Sequence, residues 1–351
     1  MSNNSKTSTK LPMKIRNGLL QISRYAIMVV IVLILFGVIL VISGKNPLQS
    51  YREIFTYTLG GWYGFSEVIV SMTPLLFTAL AVAIPSRLGL INVGGEGQLY
   101  IGACFATWGA LTFTNLSGWV LIPLMVVLGI LGGALWAFLP GLLRALGLVN
   151  ETISTLLLNS IAPKILAFLV FGFWHSPMDT NKTANFVDQA RLPTLFNSRI
   201  DLSFVMALIL LVLYWYVINY SRWGLEMRAI GGNSQAAKRN GVPLNKYWIL
   251  MMCVGGGIAG LAGMAQVSGY FGVLLVNFSR GYGFMGFLIS WLTFGDPVGI
   301  LLTSFIVSIV MTGGNLLQLT SGIPYAVINV LLALTLFVVL ARPDIFKRKT
   351  A

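Results

Sequence analysis

The chain has 351 residues, of which 56% are hydrophobic and 9% charged, and its formal net charge is +13. Soluble domains carry about 25% charged residues, and several apolar runs here reach the roughly 18–20 residues that cross a bilayer, so a soluble globular fold is excluded. The excess of Lys and Arg is read as membrane topology and not as nucleic-acid binding; Cys104 and Cys253 both fall in apolar runs and His175 is the single histidine, which excludes a disulfide framework and a His-cluster metal site.

Ten apolar segments are predicted, at about 25–42, 66–84, 98–114, 119–140, 152–173, 202–220, 247–268, 282–294, 298–317 and 324–341. They form one transmembrane domain, 25–341, between a basic arm (1–24) and a basic tail (342–351). No A-x-A cleavage pattern follows the first run, which is read as a retained span. The eighth segment is about a dozen residues long and is expected to be short, tilted or re-entrant. With both termini inside, the inner connections hold 16 of the 23 Lys and Arg and the outer ones six, with Lys164 inside a span. That asymmetry predicts cytoplasmic N- and C-termini. The longest outer loop is 174–201, where His175 is expected to be an ordinary surface residue.

Two Gly-rich stretches interrupt the apolar pattern, PSRLGLINVGGEGQ (85–98) and NFSRGYGFMG (277–286). Backbone that leaves helical geometry at membrane depth must be buried in protein or line a wet cavity. Interruptions at matching places in two halves point to a transport site. The first break follows segment 2 and the second follows segment 7, which predicts a 5+5 inverted repeat with interrupted helices in an all-α polytopic membrane protein. On this reading Asn92, Glu96, Gln98, Asn277, Tyr282, Phe284 and Trp291 are candidates for the substrate pathway, with aromatic rings suited to a planar ligand. Glu96 could instead sit in the first turn of its own helix, held by backbone N–H groups and the dipole. Glu151 carries the same ambiguity, because Asn150-Glu151-Thr152 reads as a helix start. Asn159 follows two turns later, and Lys164 beside Pro163 could snorkel or pair.

The polar island Ser221–Lys246 holds five Lys or Arg against one acid, Glu226. A Gly231-Gly232 break, an N-cap at Asn233 or Ser234, a short helix over Gln235–Arg239 and a stop at Asn240-Gly241 are predicted. A plain basic loop is the alternative. The chain has no G-x-x-x-x-G-K-[ST] phosphate loop, no metal-ligand cluster, no Ser-His-Asp arrangement and no dinucleotide fingerprint. It reads as a pathway and not as an enzyme.

GLINVGGEGQLYIGA, NETISTLLLNSIA, SRWGLEMRAIGGNSQAAKRNGV followed by GGGIAGLAGM, and SRGYGFMGFLISWLTFGDPVG resemble, in this order, the permease subunits of bacterial ABC importers for branched-chain amino acids, simple sugars and nucleosides. The likeness runs from about residue 66 to 341. Asn92–Gln98 and Asn150–Thr155 are most similar to the nucleoside-type permeases. The resemblance implies a bacterial plasma-membrane importer in which this chain pairs with a second permease, often as a heteropair. Two cytoplasmic ATP-binding subunits carry ATP and Mg, with no cofactor on this chain, and a binding lipoprotein or periplasmic protein delivers the ligand. It also implies that 221–246 docks into the ATPase, through Arg228, Ala229, Gly231, Asn233, Ala236 and Gly241. A sugar or branched-chain amino acid is the alternative cargo. A different class is an ion-coupled secondary transporter with Glu96 or Glu151 as proton relay.

Overall fold

A computed structural model describes residues 30, 34–176, 179–195 and 197–322, with 327, 329, 330 and 333 beyond. Two compact units emerge, one of residues 1–53 and 314–351 and the other of Ile54–Gly313. In the first, residues 34–42 are helical. Phe36 and Leu40, one turn apart, are buried, and the Phe36 and Tyr51 rings lie 6.0 Å apart. Residues 25–29 and 31–33 of the first predicted span and most of the last fall outside the described residues.

Segment 43–65, expected as a loop, contains a helix, α1 (Pro47–Leu59). Asn46 caps it through Oδ1, which accepts from the Leu48 and Gln49 N–H groups at 3.1 and 3.4 Å, and Pro47 takes the first helical position. Ser50, Ile54 and Thr58 are buried at a spacing of four, so α1 is amphipathic and too polar to register as an apolar run.

The second unit is a helical bundle: α2 (Trp62–Ser86), α3 (Gly95–Thr112), α4 (Gly118–Ala145), α5 (Glu151–Phe171), α6 (Leu202–Tyr220), α7 (Arg222–Gly232), α8 (Ser234–Arg239), α9 (Leu244–Ala265), α10 (Tyr282–Leu292) and most of α11 (Pro297–Ser321). Six of the described helices are long and apolar enough to cross a membrane: α2, α4, α5, α6, α9 with its extension to Phe271, and α11. The chain is a polytopic all-α membrane protein. The 18-residue α3 is not among the six, since its first turn carries Glu96 and Gln98. With 11 residues, α10 rises only about 16 Å, roughly half of the hydrocarbon core.

Buried along nearly its whole length, α2 is the central helix. The most extensive packing is between α4 and α9. Glycines make it possible: a Cβ on Gly133 would overlap the Gly256 carbonyl, and one on Gly260 would overlap the Gly129 carbonyl. Gly129/Gly133 and Gly256/Gly260 are thus two G-x-x-x-G faces in backbone contact, where lipid-soluble helices gain dispersion and lose little side-chain entropy. Gly102 of α3 closes on Gly260 in the same way.

The described residues of loop 174–201 carry regular structure. β1 (His175–Ser176) and β2 (Asp179–Thr183) pair antiparallel, and a single 3-10 turn covers Asp188–Ala190. Strand-like bonds then join the loop to the segment after α9: Thr183 N to Leu274 O at 3.1 Å, Val276 N to Asn181 O at 3.1 Å and Phe186 N to Gly272 O at 2.9 Å. His175 is exposed on the hairpin.

Candidate functional site

The two interrupted stretches meet. After α2 the chain turns at Gly89, whose φ of +79° is a conformation glycine adopts without a steric cost, and runs without regular secondary structure to Gly94, which precedes α3. After α9 the helix widens into a π-turn over Gln266–Phe271, stops at Gly272 (φ +66°) and resumes as α10 after Gly281 (φ +79°). The starts of α3 and α10 lie against each other: a Cβ on Gly95 would be 3.5 Å from Gly283 Cα, and one on Gly283 would overlap the backbone N of Glu96.

Glu96 closes the junction. Its side chain is buried at 5% exposure, and Oε2 accepts the Gly283 N–H at 2.7 Å. The Gly281 and Phe284 N–H groups face the same carboxylate. The carboxyl group therefore sits at the positive end of a helix, but the helix is α10 and not its own α3. Thr78 of α2 donates to the Tyr282 carbonyl at 3.0 Å, fixing the other side of the α10 start.

Asn92, Gln98, Asn159 and Glu151 gather round the first break and hold its backbone. Asn92 Oδ1 accepts from Gly94 N and from Gln98 Nε2, both at 3.0 Å, while its Nδ2 donates to Gln98 Oε1 at 3.1 Å and to Ala81 O at 3.3 Å. Asn159, reaching in from α5, accepts from Gly97 N and donates to Val93 O, each at 2.8 Å. Glu151 Oε1 accepts the Ile91 N–H at 3.2 Å, and Oε2 pairs with Arg144 Nε at 3.2 Å. Asn92, Asn159 and Glu151 thus supply partners that backbone at the break needs when it is taken out of water, and Gln98 holds the Asn92 amide in place. Asn150 caps α5 through Thr152 N at 2.8 Å, as the sequence predicts.

The candidates of the second break separate. Tyr282 is buried, Asn277 is exposed, and Phe284 and Trp291 stand 42% and 43% exposed on one face of α10. The opposite face is Gly283, Gly286 and Ser290, all buried, and a Cβ on Gly286 would overlap Thr78 of α2. Small residues seat α10 on α2 and α3 and leave its aromatic face uncovered.

The polar island forms two helices where one was expected. The first, α7, is capped by Ser221, whose Oγ accepts from Gly224 N at 3.1 Å, and it ends at the predicted Gly231-Gly232 break. Asn233 ends α7 and caps α8 through Ala236 N at 3.0 Å, and Gly241 (φ +82°) stops α8. Gly231 must be small because a Cβ there would overlap the Arg87 carbonyl at the start of the first break. Arg228, Ala229, Gly231, Asn233, Ala236 and Gly241 are all exposed.

Arg87 is a functional candidate that sequence reasoning missed. Its Nε donates to Tyr214 Oη of α6 at 3.0 Å and its Nη2 to Gly295 O after α10 at 2.7 Å; Tyr214 Oη donates to the same carbonyl at 2.8 Å. A lone arginine at the end of an apolar segment, followed by a tyrosine 127 residues on, has no local sequence signature. Among the described residues no three His, Cys, Asp or Glu side chains gather as a metal would require.

The family described as branched-chain amino acid transport system / permease component matches residues 64–340. The chain belongs to this family. Among its relatives, a glucose ABC transporter permease of Haloferax volcanii is 31% identical, over 89% of this chain and 85% of its own. A nucleoside ABC transporter permease of Lactococcus lactis is 31% identical, over 89% and 90%. A guanosine ABC transporter permease of Bacillus subtilis is 30% identical, over 86% and 88%. No solved structure matches. The chain is thus a permease subunit, a transport component and not an enzyme.

Proposed function

We propose that this permease forms the translocation pathway of an ABC importer for nucleosides. The observation that carries the substrate class is its similarity, at 30–31% identity over most of the chain, to the nucleoside and guanosine permeases of two bacteria. The glucose permease of similar identity favours a second reading, a simple sugar. Uptake of labelled guanosine into cells carrying the complete transporter, challenged with excess unlabelled glucose, separates the two. Loss of the guanosine signal to glucose, or no guanosine uptake at all, overturns the nucleoside reading.

In this reading the protein lies in the plasma membrane with ten spans, both termini cytoplasmic. Segments 1–5 and 6–10 are inverted repeats, each running span, short polar helix, span, break. The matching positions of α1 before α2 and of α7 and α8 before α9 support that order. The pathway follows the interrupted segments, with Asn277, Phe284 and Trp291 towards the cargo and Asn92, Glu96, Gln98, Glu151, Asn159 and Tyr282 building the wall behind them. A second permease faces this one. Two ATP-binding subunits, which bind the ATP and Mg, dock on α7 and α8 through Arg228, Ala229, Gly231, Asn233, Ala236 and Gly241. A binding lipoprotein or periplasmic protein docks on loop 174–201. The contact of Gly231 with the Arg87 carbonyl gives the ATPase a rigid path to the first break, and Glu96 carries it to the second.

A further inference from the structure

A cavity of about 470 Å³ opens at the end of the bundle that carries α7, between the first break, α7 and the last turn of α10. Its volume is within the roughly 300–1,000 Å³ of small-molecule sites. Two guanidiniums line it, Arg87 and Arg228, and neither has a carboxylate partner among the described residues. Each is nonetheless held in place. Arg87 is fixed by Tyr214 Oη and Gly295 O, and Arg228 donates through Nη1 to Ile218 O. The bonds to neutral oxygens orient the charges without neutralising them, and they leave Nη1 of Arg87 and Nε and Nη2 of Arg228 for an acceptor. Ser290 lines the same cavity. It is 2% exposed, and its hydroxyl has no hydrogen-bond partner among the described residues. A buried hydroxyl without a partner is unfavourable, and a ligand oxygen relieves it. Trp291, 43% exposed, adds a ring on which a planar group can stack.

We propose that this cavity binds a nucleoside monophosphate from the cytoplasm and that the bound nucleotide restrains the transporter. A neutral nucleoside would leave both guanidiniums unpaired, whereas a phosphate matches their planar donor forks. The ring wall selects against inorganic phosphate alone. A nucleoside monophosphate is the product of phosphoryl transfer to an imported nucleoside, so its concentration reports how much cargo has been trapped inside. Bound between Arg228 on α7 and Ser290 on α10, it ties the docking helices to the second break and opposes their relative movement. The proposal rests on the cytoplasmic placement of α7 and α8.

The test uses the complete transporter in phosphatidylcholine nanodiscs, titrated calorimetrically with guanosine 5′-monophosphate, guanosine and inorganic phosphate. Guanosine monophosphate is expected to saturate, with the other two at least about tenfold weaker. Arg228→Gln should weaken it about tenfold or more and Ser290→Ala about threefold to tenfold, from the usual worth of charged and neutral hydrogen bonds. Guanosine binding as tightly as its monophosphate, or wild-type binding in both variants, overturns the proposal. So does loss of nucleotide binding when phosphatidylglycerol replaces phosphatidylcholine, which assigns the cavity to a lipid headgroup. In sealed proteoliposomes, nucleotide on the face that carries the ATPase should slow uptake; an effect only from the opposite face overturns the cytoplasmic assignment. A transporter that carries sugars instead of nucleosides fails the guanosine uptake assay while the calorimetry stands, so the two readings fail separately.

Discussion

Glu96 Oε2 and the Gly283 N–H, 187 residues apart, form a 2.7 Å hydrogen bond that joins the starts of α3 and α10. The bond puts a buried carboxylate at the positive end of α10 and fixes the distance between the two breaks. Gly283 has no alternative residue at this spacing, because a Cβ would overlap the Glu96 backbone. Gly283→Ala is expected to lower the thermal stability of the purified permease and its accumulation in the membrane. Glu96→Gln keeps an acceptor and should cost about 1–2 kcal/mol, and Glu96→Ala about 1–3 kcal/mol. If Gly283→Ala unfolds at the wild-type temperature, the two helix starts are not in contact.

The α4–α9 crossing sets a second expectation. Gly260 sits where its Cβ would overlap Gly129 O, and Gly133 faces Gly256 in the same way. Overpacking a closed contact typically costs about 1–3 kcal/mol. Gly260→Val and Gly133→Val should each reach the upper end of that range, because the obstacle is backbone and cannot rotate away. A denaturation series in mild detergent measures this, and Gly232→Ala, with nothing within 4 Å of its Cβ, is the control that should stay near wild type.

Asn233 serves α8 as its cap, and the six-residue helix has little else to hold it. Asn233→Ala should destabilise α8 by about 1 kcal/mol, and Asn233→Asp, which keeps the accepting oxygen, much less. In the assembled transporter the expected readout is weaker ATPase stimulation by loaded binding protein in Asn233→Ala, with recovery in Asn233→Asp. Equal stimulation in all three would remove α8 from the coupling surface.

Glu151 binds the Ile91 N–H and the Arg144 guanidinium, and Arg144 also lies 5.2 Å above the Trp248 ring of α9. Arg144 is partly exposed, so the pair is screened from the full strength of a buried ion pair. A double-mutant cycle with Glu151→Gln and Arg144→Gln should give a coupling of about 0.5–2 kcal/mol, within the range for residues in direct contact. Zero coupling would mean that Glu151 acts only through Ile91.

Much of the site was legible residue by residue. Asn150 as a cap, Asn233 before a short helix, Asn240-Gly241 as its stop and the shortness of the eighth segment all follow from chemistry within a few positions, and all are present. The Gly231-Gly232 break is present too, since α7 ends at Gly232 and α8 starts after Asn233. One local reading failed. Segment 43–65 looked like a loop because α1 buries only every fourth residue. Packing decided that face, and packing partners lie far away in sequence.

The sequence by itself determined that the chain is a membrane-embedded helical protein, where its helices are interrupted and which loop carries the basic charge. Those properties come from hydropathy, glycine and cap chemistry, which act over one or two turns. Only the tertiary structure decided that the two interruptions touch, that Glu96 is satisfied by α10 and not by its own helix, and that Asn92, braced by Gln98, holds backbone at the first break together with Glu151 and Asn159. It also decided that Arg87, Arg228 and Ser290 share one cavity. These are relations between side chains and backbone groups brought together by the close approach of helices at glycine, and no local pattern encodes which distant N–H will face a given carboxylate.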